Sequence, residues 1–370
     1  MKSKNQHTET AVLCRSPSFT NGNMYSMHKY WSKKSPDVAA AYIDKYTDPG
    51  DVILDPFCGS GIIACEAVRL GRRAIAIDIN PMATFITRLT LMPINLSRLQ
   101  WAFHDVQTSC EEKLSNLFAT TCSRCRKDAV VEFVVREGND PVQIAYKCTC
   151  SGARLFKDPD DRDVSFDTSF KRKRVPFWFP SDIPLPVIRR ERFQYLHELF
   201  TKRNLIALST ILNEIEKIND VKIRELMKLA FTASLDKCSR LKPLSPTKEK
   251  SPRSLQQGWL AVRFHAPKMW KEVNPWLAFA RSFKKVYAGK RQSNVELKDA
   301  VVSTSYEEFQ RRNANAVILT GSADKVLAEQ IKERCVHYVL TDPPFGAHIQ
   351  YLTLSTFWGA WLKFDFDYDN

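Results

Sequence analysis

The stretch from Val52 to Gly61 constrains the fold of this 370-residue chain more than any other. It begins with three apolar residues and a carboxylate, Asp55, which is the pattern of a buried parallel strand with a polar end. A turn with two glycines follows, and Ile62 to Leu70 then has the pattern of a helix. A strand, a glycine-rich turn and a helix in this order open a nucleotide-binding α/β unit, because glycines let the backbone approach a ligand closely.

A second strand, from Arg73 to Asp78, also ends in a carboxylate. Asp78 follows Gly61 by 17 positions, close to the roughly 20 typical of an acid that binds ribose hydroxyls. Pro81 then begins a helix, so the alternative is that Asp78 only caps that helix. A nicotinamide-dependent dehydrogenase has the same layout but normally carries three glycines in the turn, whereas this turn has two.

A third strand end lies far downstream, where the strand from Tyr338 to Asp342 precedes Pro343, Pro344 and Phe345. A glycine-rich strand end and an Asp-Pro-Pro-aromatic strand end in one chain are together a more specific signal than either motif alone. The pair resembles the S-adenosylmethionine-dependent amino-methyltransferases of DNA, the N6-adenine and N4-cytosine family. The resemblance covers about residues 24–95 and 316–362, and it implies an α/β fold with a Rossmann-like class I methyltransferase sheet, interrupted by a zinc-ribbon and helical insertion.

The resemblance also implies the cofactor site. The residues expected to bind S-adenosylmethionine are Asp55, Pro56, Phe57, Gly59, Gly61, Asp78, Ile79 and Asp324. In the family, an acid just after a glycine holds the adenine amino group of the cofactor. Here Ser322 has that position, and Asp324 lies two residues further on. Segment 28–36 matches the one that packs beside the methionine end of the cofactor, and the alternative for it is a basic and aromatic surface patch.

The same resemblance predicts the catalytic residues as Asp342, Pro343, Pro344 and Phe345. The Asp342 carboxylate and the Pro343 carbonyl would accept the N–H groups of the target amine and stabilise the positive charge that develops on it. The two prolines would fix the shape of the loop. Phe345 would stack on the target base, which has to be flipped out of double-stranded DNA. Methylation at cytosine carbon 5 is not expected, because the chain has no Pro-Cys dipeptide.

Two cysteine pairs flank a predicted β-hairpin formed by Val130–Val135 and Val142–Tyr146. The pairs are Cys122 with Cys125 and Cys148 with Cys150. Four thiolates around a hairpin are the layout of a zinc ribbon, a closed structural site without an open coordination position. The alternative is four free cysteines.

The α/β pattern stops near residue 105 and resumes near residue 316. We divide the chain into a disordered N-terminus (1–20), a cofactor-binding half (21–105), a zinc-ribbon insertion (106–155), a helical and aromatic target-recognition region (156–310) and a catalytic half (311–370). We expect residues 151–187 to be loop-like and a helix to cover 188–218. The family sheet usually has about three more strands, so we expect the chain to be incomplete at its C-terminus.

Composition restricts the partner and the compartment. Lysine and arginine number 55 against 41 acidic residues, and the net charge of +14 suits a polyanion such as DNA. There is no run of 18 apolar residues that would span a membrane, and the N-terminus has no signal-peptide pattern. Ten scattered cysteines favour a reduced compartment, the cytoplasm.

Four questions stay open at this point. The protein could methylate RNA instead of DNA, or be a catalytically inactive nucleic-acid-binding module. The resemblance fits a restriction-modification enzyme, but the sequence separates neither adenine from cytosine nor one oligomeric state from another.

Overall fold

The computed structural model describes residues 23–185, 193–242, 244, 259–260, 263–264, 266–346 and 348–366. The first part of the chain contains α1 (Pro36–Tyr46), β1 (Val52–Asp55), α2 (Ile62–Arg69), β2 (Arg73–Asp78), α3 (Pro81–Leu91) and α4 (Leu96–Ser115). The N-terminus that we predicted to be disordered, 1–20, lies outside the described residues.

The middle part contains β3 (Ala119–Thr121), β4 (Asp128–Glu137), β5 (Asp140–Lys147), β6 (Leu155–Lys157), α5 (Asp161–Ser169), α6 (Lys202–Glu216), α7 (Val221–Cys238), β7 (Trp259–Leu260), β8 (Arg263–Phe264), β9 (Met269–Val273) and α8 (Pro275–Glu296). The last part contains β10 (Val302–Ser303), α9 (Tyr306–Gln310), β11 (Ala316–Thr320), α10 (Ala323–Gln330), β12 (Tyr338–Val339) and α11 (Tyr351–Gly359). Short 3-10 turns lie at Met24–Ser26, Phe170–Arg172, Leu196–Leu199 and Ala360–Leu362.

One five-stranded parallel sheet combines strands from the first and the last part of the chain. Its order is β10-β11-β2-β1-β12, and every neighbouring pair is parallel. The carboxyl ends of parallel strands meet at one edge of a sheet, so β1, β2 and β12 present their ends together although the middle part separates them in sequence. The predicted Rossmann-like α/β sheet is confirmed.

The sheet is covered on both faces, as parallel sheets require. Side chains of successive residues point to opposite faces, so Ile53 packs in one hydrophobic cluster and its neighbours Val52 and Leu54 pack in another. Residues of α1 and α2 belong to the first cluster, and residues of α9 and α10 belong to the second.

The middle part forms an antiparallel sheet in the order β3-β4-β5-β6, with β9 also paired to β4, beside helices α6, α7 and α8. The predicted hairpin is present as β4 and β5. Two expectations were wrong. Residues 151–187 are not uniformly loop-like, because an Asp160–Asp163 capping box begins α5 there. The helix predicted over 188–218 is present from Lys202, with Thr201 as its N-cap; residues 193–201 are not α-helical, and 188–192 lie outside the described residues.

A buried lysine connects the middle part to the α/β part. The Lys290 ammonium of α8 donates to the carbonyl oxygens of Leu89, Thr90 and Met92, at 3.0, 3.1 and 2.7 Å. These are carbonyls at the C-terminal end of α3, where a helix has acceptors without intrahelical partners. Burial lowers the pKa of Lys290 to about 7. Across the parts of the chain that the structure describes, no helix is both long and apolar enough to cross a membrane.

Candidate functional site

A cleft lies at the carboxyl edge of the parallel sheet, and we call it the strand-end cleft. It measures about 880 Å³ together with its opening to solvent. Its walls come from three sources: the end of β1 with the following turn, the end of β2, and segment 30–34 with the Asp-Pro-Pro loop. The predicted site residues that line it are Asp55, Phe57, Gly59, Asp78, Ile79, Asp342 and Pro344.

The glycine turn after β1 has two left-handed residues with different roles. Gly59 has φ +51° and lines the cleft, where a Cβ would come within 3.2 Å of the Tyr30 ring. Gly61 has φ +79°, and a Cβ there would lie 2.4 Å from Cγ2 of Thr87 on α3. Gly61 therefore allows α2 and α3 to pack closely. It does not line the cleft, and neither does the buried Pro56.

Asp78 holds the glycine turn in place. Its Oδ2 accepts the N–H of Gly59 at 2.8 Å, and its Oδ1 accepts the N–H of Asn80 at 2.9 Å. Burial raises the pKa of Asp78 to about 6, although these two N–H groups oppose the shift. The helix cap of α3 is Asn80, whose side chain accepts the N–H of Met82. The alternative that Asp78 is a simple helix cap is therefore wrong.

Asp55 connects the two predicted motifs directly. Thr341 donates its hydroxyl to Asp55 Oδ1 at 2.8 Å, and the N–H of Phe57 donates to the same oxygen at 3.2 Å. Burial raises the pKa of Asp55 to about 7, and the nearby carboxylates of Asp78 and Asp342 raise it further. No pattern in the sequence indicated the contact with Thr341, because the two residues are 286 positions apart.

Asp342 lies at the mouth of the cleft, three residues beyond the short strand β12. Its Oδ2 forms an ion pair with the Lys34 ammonium at 2.7 Å. Phe345 is 72% exposed and does not line the cleft, and Pro343 is exposed as well. The Asp-Pro-Pro-Phe loop thus offers one carboxylate to the cleft and one aromatic face to solvent.

An aromatic wall closes the side of the cleft formed by segment 28–36. Tyr30 stacks on Tyr351 at 5.9 Å between ring centroids, and Trp31 lies 5.0 Å from Trp358 of α11. Asn80 reaches this wall from the end of β2, since its amide donates to the Tyr30 hydroxyl at 3.3 Å. The segment is therefore packed against α11 and beside the strand ends.

The strand-end cleft fits a nucleoside-containing cofactor. The Asp78 carboxylate can accept hydrogen bonds from hydroxyl groups, and the aromatic ring of Phe57 can contact a base. Gly59 has no side chain, so a ligand can approach the backbone there closely. Asp324 is placed elsewhere: it is exposed in the first turn of α10, bonded to the Ser322 hydroxyl, and outside the cleft lining. Its predicted contact with the cofactor stays a prediction.

The four cysteines form a second candidate site. Their Sγ atoms all lie within 4.8 Å of one another, with Cys122 and Cys150 at 3.6 Å and Cys125 and Cys148 at 3.4 Å. Tetrahedral Zn²⁺ with Zn–S bonds of about 2.3 Å places its sulfur atoms about 3.8 Å apart, so the arrangement fits that ion. The N–H groups of Cys125 and Arg124 help to lower the pKa of Cys122 to about 6.

Comparison with known proteins matches residues 2–87 to the DNA methylase family. This range contains the glycine turn, Asp78 and segment 28–36. A type II methyltransferase, M.MjaII of Methanocaldococcus jannaschii, is 27% identical over 95 residues, which cover 26% of this chain and 18% of that protein. A second, M.BsoBI of Geobacillus stearothermophilus, is 30% identical over 107 residues, which cover 27% and 21%.

The matched stretch thus spans about a fifth of each curated relative. No solved structure matches the chain. The family match covers β1, β2 and the turns after them, which form part of the strand-end cleft. Residues 2–87 are therefore similar to the DNA methylase family, and about a quarter of the chain is similar to two type II methyltransferases.

Proposed function

We propose that the protein transfers a methyl group from S-adenosylmethionine to the exocyclic amine of adenine or cytosine in DNA. The observation that carries the proposal is the position of Asp342. Its carboxylate lines the same cleft as Asp55 and Asp78, although the glycine turn and the Asp-Pro-Pro motif are almost 300 residues apart. The family match and the type II methyltransferase relatives support the same reaction.

The chain's own residues supply binding and orientation. When bound, S-adenosylmethionine supplies an electrophilic methyl group on a sulfonium. We propose that Asp78 binds the ribose hydroxyls and that Phe57 and Ile79 contact the adenine. The aromatic wall of Tyr30 and Trp31 excludes water from the sulfonium end, which keeps the reacting groups in a fixed geometry.

Asp342 acts on the target amine. The lone pair of an exocyclic amine is delocalised into the base, so the nitrogen is a poor nucleophile. A carboxylate that accepts one N–H turns the lone pair toward the methyl group and stabilises the developing positive charge. Oδ2 is engaged by Lys34, and Oδ1 has no partner among the residues that the structure describes. We propose that Oδ1 and the Pro343 carbonyl receive the amine.

Phe345 has a position suited to the flipped base. It is a large apolar ring with 72% of its surface exposed, next to the carboxylate that would orient the amine. Stacking on a base removes this surface from water and contributes roughly 1–3 kcal/mol. We propose that the target nucleotide leaves the duplex and packs on this ring.

The test is methylation of DNA by the purified protein with isotope-labelled S-adenosylmethionine, followed by mass spectrometry of the nucleosides. We expect labelled N6-methyladenine or N4-methylcytosine. Asp342→Ala should lower the rate on the order of 10²–10³-fold while the cofactor still binds, since the lost contact strengthens in the transition state. Asp299→Ala, an exposed aspartate after α8, is the matched control.

Two outcomes would contradict this function. One is a folded Asp342→Ala protein that methylates DNA at the wild-type rate, and the other is label incorporated into RNA but not into DNA. Phe345→Tyr keeps the stacking ring and should keep activity, whereas Phe345→Ala should be slower.

A further inference from the structure

A second cleft lies on the other side of segment 25–33 from the strand-end cleft. It is bounded by the turn Met24–Ser26 with the residues after it, by α7 and by α8. Its volume is about 1030 Å³ with its opening to solvent. Tyr30 and Lys33 line both clefts, so the two are separated only by this segment. We call it the lysine cleft.

The lining of the lysine cleft is strongly cationic. Lys29, Lys33, Lys237 and Lys285 line it, and Asp236 is the only acidic residue among the lining residues that the structure describes. Neighbouring lysines, including Lys242, lower the pKa of Lys29 and Lys237 in addition to the larger effect of burial. Like charges held together in a concave surface raise the local concentration of anions.

The four lysines differ in what their ammonium groups already contact. Lys33 donates to the carbonyl oxygens of Tyr25 and His28 and so holds the segment together. Lys237 donates to the Ala233 carbonyl at 2.9 Å and to the Ser282 hydroxyl at 3.2 Å, which uses two of its three donors.

Lys285 is exposed one helical turn along α8 from Ser282, and it has no hydrogen bond or ion pair within the described ranges. Lys237 and Lys285 together therefore offer free donors from two neighbouring helices, α7 and α8, to one anion.

The histidine at the base of the cleft adds no charge. His28 is buried, and its ring nitrogens lie 2.7 Å from the carbonyl oxygen of Lys29 and 3.1 Å from the hydroxyl of Thr232. Burial lowers its pKa to about 3, and Lys33, Lys237 and Lys29 lower it further. The positive potential of the cleft thus comes from the lysines and not from His28.

We infer that the lysine cleft binds a phosphate group of the DNA backbone beside the flipped nucleotide, with Lys237 and Lys285 as its donors. Tetrahedral phosphate oxygens accept bonds from several ammonium groups at once, and such contacts fix the position of the duplex without reading its sequence. The shared segment 25–33 places this contact next to the cleft that would receive cofactor and target base. The inference rests on the proposed function, because DNA is the source of the phosphate.

The test is the salt dependence of DNA binding, measured by fluorescence anisotropy with a labelled duplex between 50 and 200 mM salt. Each phosphate contact contributes about 0.9 to the slope of log affinity against log salt. The double variant Lys237→Gln/Lys285→Gln should lose about one contact, so its slope should be shallower by about 0.9. The factor by which its affinity falls between 50 and 200 mM salt should therefore be about 3.5 times smaller than the factor for the wild type. Lys284→Gln, an exposed neighbour on α8 outside the cleft, should keep the wild-type slope.

Two further measurements distinguish a failure of the proposed function from a failure of the lysine contact alone. Calorimetry with S-adenosylmethionine should give wild-type affinity for both variants, since neither lysine lines the strand-end cleft. Wild-type protein that binds the cofactor but not DNA would overturn the proposed substrate, whereas DNA binding with equal slopes in the double variant and in Lys284→Gln would overturn the lysine contact alone.

Inorganic phosphate, added at constant ionic strength, tests the other source of this anion. Phosphate could stabilise the wild type against heat but not the double variant, while the salt slopes of DNA binding are equal in the two proteins. That result would assign the cleft to free phosphate and overturn the inference for DNA.

Discussion

The carboxylates of the strand-end cleft and the carboxylate of Glu272 in the middle part have pKa values shifted in opposite directions. In the strand-end cleft, Asp55 and Asp78 have pKa values raised to about 7 and about 6, because burial is opposed only by neutral donors. In the middle part, Glu272 of β9 is fully buried, yet its pKa is lowered to about 2. Burial raises a carboxyl pKa in both places, so the difference comes from the partners.

The partners of Glu272 are two arginines and a threonine. Arg136 of β4 donates from Nε at 2.7 Å, Arg203 of α6 donates from Nη2 at 2.7 Å, and the Thr201 hydroxyl donates at 2.5 Å. The carboxylate thus joins β9 to β4 and α6. Among the described residues of the α/β part, no cation forms an ion pair with Asp55 or Asp78, and both line the cleft. The ion-paired Glu272 thus connects secondary-structure elements, whereas Asp55 and Asp78 line the cleft.

The largest effect that we predict is the loss of the zinc ion that we propose for the middle part. Cys122→Ser should abolish binding of about one zinc per chain and expose the sheet of β3 to β6, since structural zinc contributes roughly 10–16 kcal/mol in small domains. Metal analysis and hydrogen exchange should show lost protection in residues 119–157 and retained protection in 52–78.

Cys335→Ser, in the last part of the chain and away from the cluster, should change neither quantity. Wild-type protein that contains no zinc after purification without chelator would contradict the zinc site.

The next effect concerns the buried charge of Glu272. Glu272→Gln should lower the free energy of unfolding at pH 7 by about 3–5 kcal/mol, because the buried Arg136 and Arg203 would then share a single carboxylate, that of Asp167. The folded-state pKa of Glu272 is depressed, so its stabilisation is present above about pH 4.5 and is lost as pH falls toward 2. The difference between variant and wild type should shrink over that interval.

Urea denaturation at several pH values measures this difference, with Glu111→Gln on the exposed face of α4 as the control. A variant as stable as the wild type at pH 7 would show that the network contributes nothing, and would remove the contrast with the cleft.

The smallest predicted effect is at Asp55 in the strand-end cleft, where a substitution should raise the stability of the protein and not lower it. The folded-state pKa of Asp55 is raised from 3.8 to about 7, so its contribution is fully present below about pH 4 and is lost as pH rises through 7. Asp55→Asn removes this titration. It should therefore be more stable than the wild type at pH 8, by roughly 1–3 kcal/mol, and similar to it at pH 4. Thermal denaturation at both pH values checks this, and a variant less stable at pH 8 would contradict it.

Local patterns in the sequence predicted the α/β part well. The strand of Val52–Asp55 and the helix beginning at Pro81 are as expected, because apolar runs and glycine or proline boundaries determine them locally. The four cysteines were also predicted correctly as a cluster, since the hairpin between the pairs dictates their approach.

Contacts between distant segments could not be predicted in this way. β9 pairs with β4 across more than 130 residues, and neither its charged residues nor its length indicated a strand. The ion pair of Lys34 with Asp342 and the bond of Thr341 to Asp55 exist only because the sheet brings its two halves together. Asp324 is the opposite case: its position in the sequence resembles a family motif, but its side chain does not line the cleft.

We propose above all that the strand-end cleft binds S-adenosylmethionine through the carboxylate of Asp78, which accepts only backbone N–H groups within the described residues. Isothermal titration calorimetry of wild-type protein, Asp78→Ala and the exposed control Asp299→Ala tests it most directly. Hydrogen bonds to a charged group contribute roughly 1.5–3 kcal/mol each, so losing two ribose contacts should weaken binding more than tenfold, with Asp299→Ala unchanged. Equal affinity of Asp78→Ala and wild type, or no binding by a folded wild-type chain, would contradict the claim.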